Sequence, residues 1–207
     1  MSCETIGAYA GSPNAFVDYV IAADPSGACQ QVKVGKDSPF PVGDVEVLGR
    51  FVYSPTHLPT GMVDESVVAD LARNGLSITR TQRDWTEACE ELHPKGERQA
   101  ERIRAGDHDR PAQPDRRYVG LMRLRTADVR ALAVDEAKGR LRVYDTSLPD
   151  EPLHGDIIPD STGLTKALRK ELRVQLFLLA QRAGLYMSPA ADPALTAERL
   201  GLQVYRA

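Results

Sequence analysis

From Ser161 to Arg182, Leu164, Leu168, Leu172, Leu176 and Leu179 recur at helical spacing, and the run stops at Gly184. A helix marked in this way has to lie along a broad apolar surface, since nothing within the helix itself buries its leucine face. The rest of the chain offers that surface in short β-type runs: DVEVLGRFVYS from Asp44 to about Tyr53, LSIT from Leu76, YVGLMRL from Tyr118 and LRVYDT from Leu141. Each is rich in β-branched or aromatic residues or alternates polar with apolar. FVDYVIAA over 16–23, the turn Asp24-Pro25-Ser26-Gly27 and the alternating QQVKVGK predict a β-hairpin. Strand-helix-strand crossovers are too few for a doubly wound sheet. The expected fold is therefore α+β, a small mixed or antiparallel sheet with a few packed helices and a long C-terminal helix.

Shorter helices fill the gaps. Asp64 caps one that buries Val67, Val68 and Leu71 and ends at Asn74-Gly75. A second starts at Asp84, paired with Glu87 in a reciprocal cap, and Pro94 interrupts it. Residues 95–105 have only Ala100 and Ile103 to bury and are expected to form a solvated helix or a partly ordered excursion. GDHDRPAQPDRR over 106–117 is expected to be a mobile loop. A capped helix at Thr126, a rigid turn at Leu148-Pro149-Asp150-Glu151-Pro152, a helix over 194–200 and an edge strand LQVYR complete the outline. The chain reads as one domain over 1–207, with 161–207 a helical part packed on the same core.

Composition narrows the class. Of 207 residues, 42% are hydrophobic and 27% charged, which fits a globular chain and excludes a disordered or rod-like one. No run approaches the length of a membrane span, and MSCETIGAYAGSP lacks the pattern of a signal peptide, so a cytoplasmic protein with no membrane partner is expected. Cys3, Cys29 and Cys89 suit neither a disulfide framework nor a zinc site and are expected to be reduced thiols. Cys89 and His93, four apart, are two ligands and make no metal site. GxGxxG after a strand, GxxxxGK[ST], HExxH and GxSxG are all missing from the sequence.

Four clusters carry candidate chemistry. Alternation puts Arg50 on a mixed face with Glu46, Leu48 and Val52, where a guanidinium needs an anion, either an internal carboxylate or one on a ligand. His57 lies just past the end of that strand. Ser77 and Thr79 alternate to one face, and Leu76, Ile78 and Arg80 to the other; Ser77 and Arg80 are candidate binding residues. His154 stands among Asp150, Glu151 and Asp156, either an acidic turn with one satisfied histidine or an arrangement suited to acid-base work. Basic residues form the fourth cluster: Lys166, Arg169, Lys170 and Arg173 make one stripe along the long helix, and ten basic against six acidic residues lie between Lys95 and Arg130. In a chain with a formal net charge of −3, either can meet nucleic acid or an acidic partner, or form a solvated face.

The series Arg50-x-x-Tyr53-x-Pro55-x-His57, Gly75-Leu76-Ser77-Ile78-x-Arg80 and Asp145 through Pro152-x-His154-Gly155-x-Ile157 resembles a group of uncharacterised bacterial proteins over about residues 50–158. The resemblance implies a bacterial source and no particular activity. The order Arg50, His57, Gly75-Leu76 is also similar to ADP-ribosyl-transfer folds, whose catalytic glutamate falls here to Glu136 or Glu151. That similarity implies NAD as cofactor, with Arg50 on a phosphate, His57 on the ribose and Glu151 facing the anomeric carbon. The leading expectation is an interaction or accessory protein that acts by binding a protein partner, with no cofactor. The alternatives are a nucleotide-handling enzyme using Arg50, His57, Glu151 and His154, and a nucleic-acid binder using Lys166, Lys170 and Arg173.

Overall fold

A computed structural model describes residues 3–9, 16–72, 74–106, 111–134 and 139–206. Its centre is a seven-stranded sheet in the order β4-β5-β2-β1-β3-β6-β7. The strands are β1 (Val47–Ser54), β2 (Leu76–Thr81), β3 (Arg117–Arg125), β4 (Leu141–Tyr144), β5 (His154–Pro159), β6 (Leu185–Met187) and β7 (Val204–Tyr205). Neighbours are antiparallel except β6 and β7, which run parallel. The helices are α1 (Glu4–Tyr9), α2 (Phe16–Ala23), α3 (Trp85–Ala105), α4 (Thr126–Ala131), α5 (Lys166–Ala183) and α6 (Ala197–Leu200), with 3-10 turns at Ala28–Gln31 and Glu65–Ala72. This is an α+β architecture with one long C-terminal helix, as the sequence predicts. No helix among the described residues is long and apolar enough to cross a membrane.

The largest core lies on the face that carries Leu48, Val52, Leu76, Ile78, Met122 and Ile157. The 3-10 turn at Glu65–Ala72 covers part of that face through Val67, Val68 and Leu71, and α5 covers more through Leu172 and Leu176. Leu164 is also buried, and Leu168 and Leu179 pack partly buried on the same core. Lys166 and Lys170 point to solvent, whereas Arg173 is half-buried. Thr165 caps α5, its Oγ1 accepting from the Leu168 N–H at 3.2 Å.

Two smaller clusters sit elsewhere on the sheet. One joins Tyr53, Tyr118 and Leu121 to Trp85, Cys89, Leu92 and Ala100 of α3. The other joins Tyr144 and Ile158 to Ile6, Phe16, Val17 and Val20 of α1 and α2. The hairpin expected over 16–36 does not form. Residues 16–23 are α2, because a short apolar run suits helix and strand equally and the buried positions Phe16, Val17 and Val20 lie on one side of a helix. The chain then turns on Asp24, whose Oδ2 accepts from the Cys29 N–H at 2.9 Å and the Tyr144 hydroxyl at 3.0 Å.

Further expectations change. Cys3 and Cys29 are joined in a disulfide that ties α1 to the turn after α2, and Cys89 alone is free. Sequence spacing cannot show such a pair, because packing of α1 beside α2 brings the two residues together. Disulfides form and persist in oxidising compartments, so this pair lends no support to the expected cytoplasmic placement. Pro94 does not interrupt the second helix; α3 runs through it to Ala105. Tertiary packing holds it there, with Gly96 so close to Tyr118 that a Cβ would come within 2.5 Å of the ring. The Asp84 cap accepts from Thr86 rather than from Glu87. In the segment expected to be mobile, residues 107–110 lie outside the described residues, while Gln113 donates to the Ile103 carbonyl and Arg116 reaches Thr56.

Arg80 is 1% exposed and spends all five N–H groups inside the protein. Nε and Nη2 meet the two Glu46 carboxylate oxygens at 2.8 and 3.0 Å, Nη1 meets Ser38 Oγ and the Phe40 carbonyl, and Nη2 also meets the Pro41 carbonyl. Arg80→Met leaves Glu46 buried without its partner and is expected to cost about 3–5 kcal/mol in urea unfolding, part of it recovered by adding Glu46→Gln. Reduction of Cys3–Cys29, which closes a loop with a sequence separation of 26, is expected to cost about 3 kcal/mol. A fall in melting temperature on adding reductant, missing in Cys3→Ser, checks it.

Candidate functional site

The β1–β2 pairing runs through Val47↔Thr81, Leu48↔Arg80 and Gly49↔Thr79 and then stops, although β1 continues to Ser54 along β3 and β2 begins at Leu76 along β5. Arg50 fills the place where the ladder ends. Its Nε donates to the Val67 carbonyl at 3.0 Å and its Nη1 to the Ser77 carbonyl at 2.9 Å, with Asp70 at 3.8 Å from Nη2. Burial lowers the guanidinium pKa, and Asp70 opposes the shift. Internal acceptors thus hold this arginine.

On the neighbouring strands Ser77 stands opposite Asp156 and Thr79 opposite His154. Ser77 Oγ donates to Asp156 Oδ1 at 3.3 Å, and Thr146 Oγ1 donates to Asp156 Oδ2 at 2.6 Å. His154 Nδ1 lies 3.1 Å from Thr146 Oγ1 and 3.2 Å from the Thr146 carbonyl, against 3.8 Å to Asp156. The structure therefore joins Arg50, Ser77 and His154 through Asp156 and Thr146, two residues the sequence reading did not rank as site members. Pairing across β5 is what selects them.

His57 turns back onto β1, and the Tyr53 N–H donates to its Nδ1 at 3.1 Å. Burial first, then the charges of Arg50 and Arg116, push its pKa down to about 3. Arg116 lies 4.3 Å over the Tyr53 ring, whose hydroxyl donates to Gln99 at 2.8 Å. Glu151 pairs with Lys95 at 3.2 Å, and its charge, like those of Arg116 and Arg50, is felt at Tyr53. Arg50, His57 and Glu151 thus surround one tyrosine, each with an internal partner. Glu136 lies outside the described residues.

A different arrangement is found at α5. A cavity of about 650 Å³ opens between α2, the end of β5 and α5, lined by Lys166, Arg169 and Arg173 together with Ser161, Thr162 and Asp18. Arg169 Nε donates to the Leu164 carbonyl, and Arg173 Nε is buried with no hydrogen-bond partner. Among the described residues none of the three cations forms an ion pair. Lys170 stands on the same helix outside the cavity lining. Helical spacing predicts the basic stripe, but the hydroxyls of Ser161 and Thr162 and the wall contributed by α2 come from the fold.

No protein-family model, curated protein or solved structure matches the chain.

His57 gives this region a pH signature. Its folded pKa of about 3 lies below its ordinary 6.5, so the unfolded chain takes up a proton first as pH falls. Stability should drop between about pH 6.5 and pH 3, by up to about 1.4 kcal/mol per pH unit from this residue. NMR titration should show the His57 ring unprotonated at pH 5, and a ring that titrates near pH 6.5 would contradict the geometry.

Proposed function

We propose that this protein acts by binding rather than by turnover, as a bacterial accessory protein that takes an acidic segment of a protein partner in the α5 cavity. The observation that carries the reading is the contrast between two sets of charged groups. Arg50, His57, Glu151 and His154 are engaged by Val67, Ser77, Tyr53, Lys95 and Thr146. Lys166, Arg169 and Arg173 converge on one cavity, where Asp18 is the one carboxylate of the described lining, and none of the three forms an ion pair among the described residues. Carboxylates suit such a site, because charge-assisted hydrogen bonds to arginine are among the stronger polar contacts a protein makes.

Three features favour a protein segment over nucleic acid. The cations converge on one concavity instead of tracking along a groove, and the chain as a whole carries a formal net charge of −3, which repels a polyanion away from that spot. Among the described residues no aromatic side chain lines the cavity to stack a base. NAD-dependent ADP-ribosyl transfer needs Arg50 and His57 to release their internal partners before they reach a dinucleotide.

The test is fluorescence anisotropy with a labelled Asp/Glu-rich peptide, and with single-stranded and duplex DNA of matched length. Wild type should bind the peptide saturably and more weakly as salt rises. Arg173→Ala and Lys166→Glu should each weaken it by about tenfold or more. Tighter binding of DNA, lost in the same variants, would put nucleic acid in the peptide's place. Binding of neither overturns the proposal, and steady NAD consumption by the wild type restores the enzyme reading.

A further inference from the structure

On the far edge of the sheet, α3 and the chain around β6 and β7 enclose a cavity of about 560 Å³, within the range of small-molecule sites. One wall is a helical stripe, Cys89, His93 and Glu97, at successive i, i+4 positions of α3. Opposite stand Tyr186 and Tyr205, stacked with centroids 4.5 Å apart. The lining offers apolar and ring surface with a few polar atoms.

Most of those atoms are acceptors. Glu97 Oε1 takes the Ser188 hydroxyl at 2.7 Å, and Oε2 has no hydrogen bond among the described residues. Glu90 and Pro94 both line the cavity, and because proline has no N–H, the Glu90 carbonyl lacks its usual i+4 donor. His93 is 5% exposed, and its Nδ1 lies 3.0 Å from the Tyr118 hydroxyl. Its Nε2, which has no hydrogen bond among the described residues, accepts when Nδ1 carries the proton to Tyr118. Arg206, the cation at the rim, donates to the Pro193 and Leu195 carbonyls. Burial pushes the Cys89 thiol up to about 12, which keeps it neutral at physiological pH.

We infer that this cavity is a binding site for a small amphiphilic amine: a ring-bearing molecule whose apolar body lies between α3 and the tyrosine pair and whose ammonium group meets Glu97 and the Glu90 carbonyl. The carboxylates of Glu90 and Glu97 favour a cation, whereas the tyrosine pair supplies ring surface only, since Tyr186 stacks on Tyr205 and already lies under the Arg123 guanidinium at 5.7 Å. An organic anion meets repulsion from both carboxylates. The site shares no lining residue with the α5 cavity, so the two proposals stand or fall separately.

The chain contains one tryptophan, Trp85, and its ring meets Tyr186 edge-on at 5.2 Å, so its emission reports on the cavity wall. The experiment titrates the intact protein with 2-phenylethylamine, which is transparent at the tryptophan excitation wavelength, and with phenylacetate and methylamine as controls. A saturable emission change is expected for 2-phenylethylamine alone. Glu97→Gln should weaken it by about tenfold, the scale of one charge-assisted contact. Ala190→Trp, which places a bulky ring at the exposed lining position Ala190, should abolish binding, followed by ligand-observed NMR because it adds a fluorophore, with circular dichroism showing the fold retained. No saturable binding by either method, phenylacetate binding equally well, or undiminished binding in Ala190→Trp each overturns the assignment.

Discussion

The Arg80–Glu46 pair holds the structure at the point where its parts meet. Arg80 comes from β2, Glu46 from the approach to β1, and the guanidinium also gathers the carbonyls of Phe40 and Pro41 and the hydroxyl of Ser38. One buried cation thereby fixes how the 38–46 segment enters the sheet. Glu46 then extends the network through its own carbonyl, which accepts from the N–H and Oγ1 of Thr126 at the start of α4. A buried charge is tolerable only when it is fully bonded, and this one is.

That anchor leaves the two ends of β1 in different states. Near Val47 the ladder with β2 is intact; past Gly49 it stops, and Arg50 bridges the gap by side-chain bonds to Val67 and Ser77. Arg80 and Arg50 look alike in the sequence, each a lone arginine in a strand pattern. In the fold both serve as internal ties, which explains how a region dense in chemically active residue types ends with its polar groups bonded to one another.

The open chemistry lies away from the sheet centre, on helices. On α5, half-buried Arg173 carries a partnerless Nε beside Lys166 and Arg169. On α3, the stripe from Cys89 to Glu97 faces the β6–β7 edge. Both sites use a helix face that covers the sheet incompletely. The acidic chain as a whole concentrates positive charge in the first cavity and acceptor groups in the second, so the two offer opposite electrostatic surroundings.

Periodicity alone determined much of the fold. The leucine face of α5, the runs that became β1, β2, β3 and β4, the cap at Asp64 and the edge strand β7 all follow from spacing within a few neighbouring residues, whereas Thr126, expected to cap α4, instead donates its Oγ1 to the Glu46 carbonyl. What depends on distant parts of the chain was decided by tertiary structure. The run over 16–23 became helix because Tyr144 and Ile158 offered it a surface. Pro94 stayed within α3 because Gly96 and Ala100 pack on β3. Cys3 and Cys29 paired because two short helices meet. The candidate residues Arg50, His57, Ser77, Arg80, Glu151 and His154 were legible as chemical types, but whether each faces a ligand or a neighbour depends on strand register and on partners such as Asp156, far away in sequence, which no local pattern encodes.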